Sequence, residues 1–145
     1  MDYIKVAIEE AKKALYLKEV PVGAVIVKND KIISTAYNLR ETLNRSTAHA
    51  EILAIERACE VVNNWRLTDC SMYVTLEPCA MCAGAIVNAR IKNLYIGTFD
   101  PRAGACGSAV NLVQNERLGH FVNVHWLYDE ECSNLLKDFF KGLRA

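Results

Sequence analysis

Apolar positions change their period several times along the chain, and the changes divide it into elements. Over residues 2–17, Ile4, Ala7, Ile8, Ala11, Ala14 and Leu15 recur at helical spacing, with Glu10, Lys12 and Lys13 on the remaining surface. This predicts an amphipathic helix, and Asp2 stands where an N-cap belongs. Val22-Gly23-Ala24-Val25-Ile26-Val27 is short, β-branched and nearly all apolar, and Lys31 to Tyr37 is a second strand-like run. With the turn signal Asn29-Asp30 between them they predict a hairpin. Gly23 marks either a bulge or a close approach of a ligand to the backbone. Ile52, Leu53, Ile55, Ala58, Val61 and Val62 then set a helix from near His49 to about Val62. Met72 to Leu76 is a strand, about Cys79 to Asn88 a helix, and Asn93 to Gly97 another strand. Phe121 to Trp126 alternates and forms a last strand. A final helix over 129–141 has Leu135, Leu136, Phe139 and Phe140 on its apolar side and Lys137, Lys141 and Arg144 at its basic end.

The order β-α-β-α-β after the first strand implies parallel pairing with helices on both faces. The expected fold class is therefore α/β: three layers, α/β/α, around a five-stranded mixed sheet. Ligands of such sheets bind beyond the carboxyl ends of the strands, where Leu76 and Gly97 point. Two irregular stretches border that end. Asn38 to Ser46 is polar and leads directly into His49, and Thr98 to Gly107 contains glycines and no periodicity. A long loop at that end of an α/β sheet is commonly functional.

Composition narrows the class. A chain of 145 residues, 52% hydrophobic and 23% charged, reads as a single globular domain over 1–145. The net charge is zero, which counts mildly against a strong non-specific nucleic-acid binder and leaves room for a local basic patch. Met1 leads straight into a helix pattern containing acids, and no stretch is apolar enough to span a membrane. The expectation is a cytoplasmic chain with reduced thiols, in which Cys59, Cys70, Cys106 and Cys132 are core or incidental residues.

The chemistry lies in two stretches, Thr47-Ala48-His49-Ala50-Glu51 and Glu77-Pro78-Cys79-Ala80-Met81-Cys82. One imidazole and two thiolates suit zinc, which takes four ligands and, in catalytic sites, leaves the fourth position to water. Cys79 and Cys82 fall one turn apart at the start of a helix, where the dipole favours thiolate. His49 and Glu51 are about 200° apart around an ideal helix, so they share a site only if it lies off the helix N-terminus. Two helix N-termini are thus expected to converge on the metal, with Glu51 reaching past it as acid/base. Each half alone is weak: a C-x-x-C can be a redox pair, and an H-x-E is usually incidental. Together, with Pro before the first Cys, they match the H-x-E…P-C-x-x-C signature of zinc deaminases. A zinc finger would place its second ligand pair roughly 12–15 residues on, far nearer than His120 and His125, for which no catalytic role is expected. A thioredoxin-like pair leaves His49 and Glu51 without a task. Asn38, at the end of the second strand, carries an amide able to read a base edge.

On these motifs, with Val20-Pro21-Val22-Gly23-Ala24-Val25, Tyr37-Asn38, Met81-Cys82-Ala83-Gly84-Ala85-Ile86 and Asp100…Gly104-Ala105…Gly107-Ser108, the chain resembles the bacterial tRNA-specific adenosine deaminases of the cytidine deaminase superfamily, from the first helix to about Lys141. The resemblance implies one zinc per subunit on His49, Cys79 and Cys82, and Glu51 as proton carrier in hydrolytic deamination of the wobble adenosine to inosine. It implies substrate contacts at Asn38, Asp100, Ala48 and Val22, and RNA contacts at Arg102, Phe139, Lys141 and Arg144. The Ala85-to-Arg90 region would help line the base pocket and the dimer contact. The implied partners are a tRNA anticodon stem-loop and a second subunit in a homodimer. Two other classes stay open at this point: a deaminase of free bases or nucleosides using the same metal, and a non-catalytic zinc-stabilised RNA-binding module, against which Glu51 speaks.

Overall fold

The computed structural model describes residues 1–144. It contains α1 (Tyr3–Tyr16), β1 (Gly23–Lys28), β2 (Lys31–Tyr37), α2 (Ala50–Val62), β3 (Ser71–Leu76), α3 (Ala80–Asn88), β4 (Asn93–Thr98), β5 (Asn123–Trp126) and α4 (Glu130–Arg144). The five strands form one sheet in the order β2-β1-β3-β4-β5. β3, β4 and β5 run parallel, while β1 is antiparallel to both β2 and β3. β2 and β3, joined by α2, therefore point the same way without pairing, because β1 lies between them. Burial explains the choice. Five of the six β1 residues are buried, whereas β2 begins exposed and alternates, so the strand apolar on both faces takes the inner place. The hairpin turn has Asn29 and Asp30 at φ 51 and 59, the left-handed pair that a two-residue turn needs to match the strand twist.

The alternation of strand residues sends each face to its own helices. Ala24, Ile26, Met72, Val74, Leu94 and Ile96 pack with Leu53, Ala54 and Ala58 of α2 and Ala83 and Ile86 of α3. Val25 and Val27 face the opposite way, against Ile4, Ala7 and Ile8 of α1 and Cys132 of α4. This is the expected three-layer arrangement.

Local expectations fail in instructive places. Asp2 holds the N-cap position of α1 but makes no side-chain cap bond. Glu10 is buried and pairs with Lys13, while Leu15 is exposed. Gly23 is not the bulge, which falls between Ile26 and Val27. A Cβ at Gly23 would overlap the Ala7 carbonyl oxygen and crowd the Ala11 amide, so the small face of α1 lies directly on this backbone. Gly23→Ala is expected to destabilise the fold by about 1–3 kcal/mol, the usual cost of overpacking. Urea unfolding measures this, and an unchanged midpoint would mean that α1 yields freely. β5 begins at Asn123, leaving Phe121 exposed before it. α4 continues three residues past Lys141. No helix of the described residues is long and apolar enough to cross a membrane.

Candidate active site

β3 delivers Glu77-Pro78-Cys79 at its carboxyl end, and Cys79 is the N-cap of α3 with extended backbone, φ −73 and ψ 178. Pro78 suits a chain about to turn into a helix. Cys82 follows in the first turn and is fully buried. His49 is the N-cap of α2, φ −73 and ψ 154, at the end of the polar loop. Two helix N-termini thus meet, as the two-residue spacing of His49 and Glu51 requires. Neither N-cap side chain bonds to its own helix amides; both turn toward the junction.

There His49 Nδ1 stands 3.7 Å from Cys79 Sγ and 3.4 Å from Cys82 Sγ, and the three donor atoms lie within 4.8 Å of one another. Ligand bonds of about 2.0–2.1 Å to nitrogen and 2.3 Å to sulfur, set at tetrahedral angles, give an N–S edge of about 3.6 Å. The donor set fits a tetrahedral metal. Among the described residues no other His, Cys, Asp or Glu joins these three as a ligand group, which leaves a fourth position for solvent or substrate.

The electrostatics suit a cation. Hydrogen bonds from Cys82 and then His49 hold the Cys79 thiol down at about 3, so it is a thiolate. The bond to Cys79 raises His49 in return, and the Cys82–Cys79 bond together with burial raises the Cys82 thiol. A metal ion replaces these shared protons when it binds. Glu51, only 4% exposed in the first turn of α2, is pushed above the usual carboxylate range by burial.

The cluster opens on a cavity of about 490 Å³ whose walls include His49, Glu51, Cys79, Val22, Asn38, Asp100 and Phe139. Asn38, 8% exposed, donates from Nδ2 to the Val20 carbonyl at 3.2 Å and accepts the Arg40 amide on Oδ1 at 3.1 Å. One N–H and one lone pair of its amide remain for another partner. Asp100 Oδ1 accepts the Arg102 and Ala103 amides, each at 3.1 Å.

The other expected contacts lie elsewhere. Ala48 is fully buried and outside the wall, its carbonyl accepting the Leu39 amide. Arg102 lines a neighbouring surface groove with Lys137, Phe140 and Leu143. Lys141 is exposed and in neither wall. Arg144 ends α4, and its side chain lies outside the described residues. The Ala85-to-Arg90 expectation fails for the cavity, which none of those residues line. They form the last turn of the nine-residue α3 and the two residues after it, leading away from Cys82. Arg90 instead lies over the Trp65 ring.

Two wall residues escaped the motif reading. Glu19, 1% exposed, accepts the Glu41 and Thr42 amides at 3.1 and 2.6 Å and so holds the polar loop. Burial pushes its carboxyl up, but the Thr42 and Glu41 hydrogen bonds and Arg40 outweigh this and hold it below its ordinary value. Its one sequence signal is an acid set directly before the apolar run that starts at Val20. Glu77 is the other, quoted in the motif but given no task.

Comparison with known proteins agrees with this geometry. The MafB19-like deaminase family model matches residues 1–144. The chain is 51% identical over 143 residues to the tRNA-specific adenosine deaminase of Bacillus subtilis, spanning 98% of this chain and 89% of that protein. A solved structure from studies of A-to-I editing by tRNA:A34 deaminases at the wobble position is 41% identical, with a TM-score of 0.89, over 92% of this chain and 98% of that chain. A guanine deaminase structure from Bacillus subtilis is 40% identical but agrees over less, with a TM-score of 0.64 across 67% of this chain and 62% of that one. Matched along almost its whole length in sequence and in fold, the chain belongs to the family of tRNA-specific adenosine deaminases.

Proposed function

We propose that this protein converts adenosine at the wobble position of a tRNA anticodon to inosine, with water consumed and ammonia released, using one zinc ion on His49, Cys79 and Cys82. The observation that carries the reading is the buried Glu51 carboxyl on the same cavity wall as an incomplete tetrahedral donor set. A purely structural site would close the fourth position with a protein ligand and would have no use for the acid.

When bound, zinc supplies a water whose pKa falls to about 7. Glu51 would accept a proton from the attacking water as its oxygen adds to C6 of the base. It would return that proton to ring N1, then take the proton of the new C6 hydroxyl and pass it to the departing amine, which leaves as ammonia. Its burial, which raises the carboxyl, brings proton acceptance and return closer in energy. The spare N–H and lone pair of Asn38 suit the edge of a purine. The second oxygen of Asp100 suits a ribose hydroxyl rather than a phosphate, since like charges repel. Phe139 offers a face on which a splayed base stacks. A base extruded from a single-stranded loop costs only a few kcal/mol. The same reading makes the protein a cytoplasmic homodimer whose two subunits share the loop, and its six free thiols suit a reducing compartment.

The deciding experiment offers the zinc-loaded protein an anticodon stem-loop with adenosine at the wobble position and, separately, free guanine, cytosine, adenosine and cytidine. Inosine in the stem-loop, with the free compounds untouched, is the expected result. Turnover of a free base beside an intact stem-loop would overturn the substrate and leave the metal chemistry standing.

A further inference from the structure

Glu77 has no part in the chemistry described above, yet its carboxyl side chain is only 2% exposed. Among the described residues no cation pairs with it. Its carboxylate is satisfied by hydrogen bonds alone, all from one loop. Oε1 accepts the Asp100 amide at 2.9 Å and the Ser108 hydroxyl. Oε2 accepts the Cys106 amide at 3.0 Å and the Ser108 amide at 3.1 Å. A carboxylate has about four acceptor directions, and all are used. The backbone adds two more ties: the Glu77 amide donates to the Thr98 carbonyl at 2.9 Å, and the Ala105 amide donates to the Pro78 carbonyl at 2.8 Å. A Cβ at Gly104 would overlap the Glu77 carboxyl group, so the loop wraps the carboxylate closely enough to require glycine there.

We propose that Glu77 is a positioning residue: its carboxylate ties the loop from Asp100 to Ser108 to the segment that ends in the metal ligand Cys79, and so sets Asp100 at a fixed place in the substrate cavity. Asp100 is held from two sides. Glu77 takes its amide, and its own Oδ1 takes the amides of Arg102 and Ala103. Its remaining carboxylate oxygen is therefore aimed before any ligand arrives. Such preorganisation acts on binding, because it removes the ordering that the substrate would otherwise have to impose. The consequence for substrate rests on the proposed tRNA reaction; the tether itself does not.

The donor pattern makes the test sharp. In Glu77→Gln the amide group can sit at the Oε1 position, where the Ser108 hydroxyl can turn and accept from it. The Asp100 amide there then faces a donor. The retained oxygen keeps the Cys106 and Ser108 amides. Glu77→Gln thus releases Asp100 selectively, and Glu77→Ala releases the whole loop. Amide hydrogen exchange of the zinc-loaded protein is expected to speed up about tenfold or more at Asp100 alone in Glu77→Gln, the scale of one hydrogen bond to a charged group, and at Asp100, Cys106 and Ser108 in Glu77→Ala. Zinc content is expected to equal that of the wild type in Glu77→Gln. The KM for the stem-loop should rise by a similar factor with kcat nearly unchanged. Unaltered exchange at Asp100 would overturn the tether. Zinc lost in step with activity, or kcat falling with KM constant, would overturn the positioning role and make Glu77 part of the metal scaffold. Should the wild type leave the stem-loop untouched, the tRNA reading fails, while exchange and zinc content still decide the tether.

Discussion

Glu51→Gln is expected to lower kcat on the anticodon stem-loop by about 10³–10⁴-fold, the upper range for a general acid–base, while zinc stays bound and the fold stays intact. The high end applies because the proposed mechanism asks the same carboxyl for more than one proton transfer in a turnover, and no other acid or base of the cavity wall stands beside His49 in the first turn of α2. Gln keeps the volume and removes the proton carrier. It also removes a charge that burial disfavours. The folded carboxyl is raised, so its ionised form is a burden on the fold above the ordinary carboxylate range and no burden below it. At neutral pH the metal-free Glu51→Gln chain should therefore melt no earlier than the wild type. Paired kcat, zinc and thermal-melting measurements check all three statements. Wild-type turnover in Glu51→Gln or Glu51→Ala would refute the assignment of the acid/base.

Cys82→Ser is expected to abolish stoichiometric zinc binding, with activity falling to background. Serine offers a hydroxyl that does not ionise near neutral pH, so the donor set drops to one imidazole and one thiolate. Stability is expected to fall as well, because a ligand that binds only the folded chain adds RT ln(1 + [L]/Kd), about 4 kcal/mol at a thousandfold excess over Kd. The effect has a local cause. His49 and Cys79 occupy the N-caps of α2 and α3 without serving their helix amides, and an ion between them ties the two helix starts together. Adding a chelator to the wild type should reproduce the loss of melting temperature, and should barely move that of Cys82→Ser. Full zinc occupancy in Cys82→Ser, read by elemental analysis, would refute the ligand set.

The metal cluster was legible because its chemistry is local in sequence. Cys79 and Cys82 sit within one helix start and His49 with Glu51 at another, and the mismatch between a two-residue spacing and helical periodicity already placed His49 and Glu51 off a helix end. The period changes likewise marked the helices and strands. The position of β1 was not legible, since a β-α-β pattern does not say which edge a preceding hairpin occupies; only the evenness of Ala24-Val25-Ile26-Val27 against Lys31, Ser34 and Thr35 hinted at an inner strand. Glu10 read as surface because periodicity treats charge as exterior, yet Lys13 one turn on pairs with it. Ala48 shows that adjacency to a ligand does not place a side chain in the cavity. Glu19 and Glu77 were missed because their partners, the Ser108 hydroxyl aside, are backbone amides of distant loops, which leave no side-chain pattern to read.

The Cys79 thiolate also bears on how the protein ages. It is half-buried, and hydrogen bonds from Cys82 and His49 hold it far below the ordinary thiol range, toward the form of sulfur that peroxide attacks first. Cys82 lies within the same 4.8 Å cluster, so the resulting sulfenic acid has a thiol beside it with which to close a disulfide as water leaves. Coordination commits the electrons that oxidation would take. Metal occupancy therefore sets shelf life as well as turnover: a stock stripped by chelator in air would lose competence through chemistry at one atom while its sheet and helices persist, and a reductant followed by zinc would restore it.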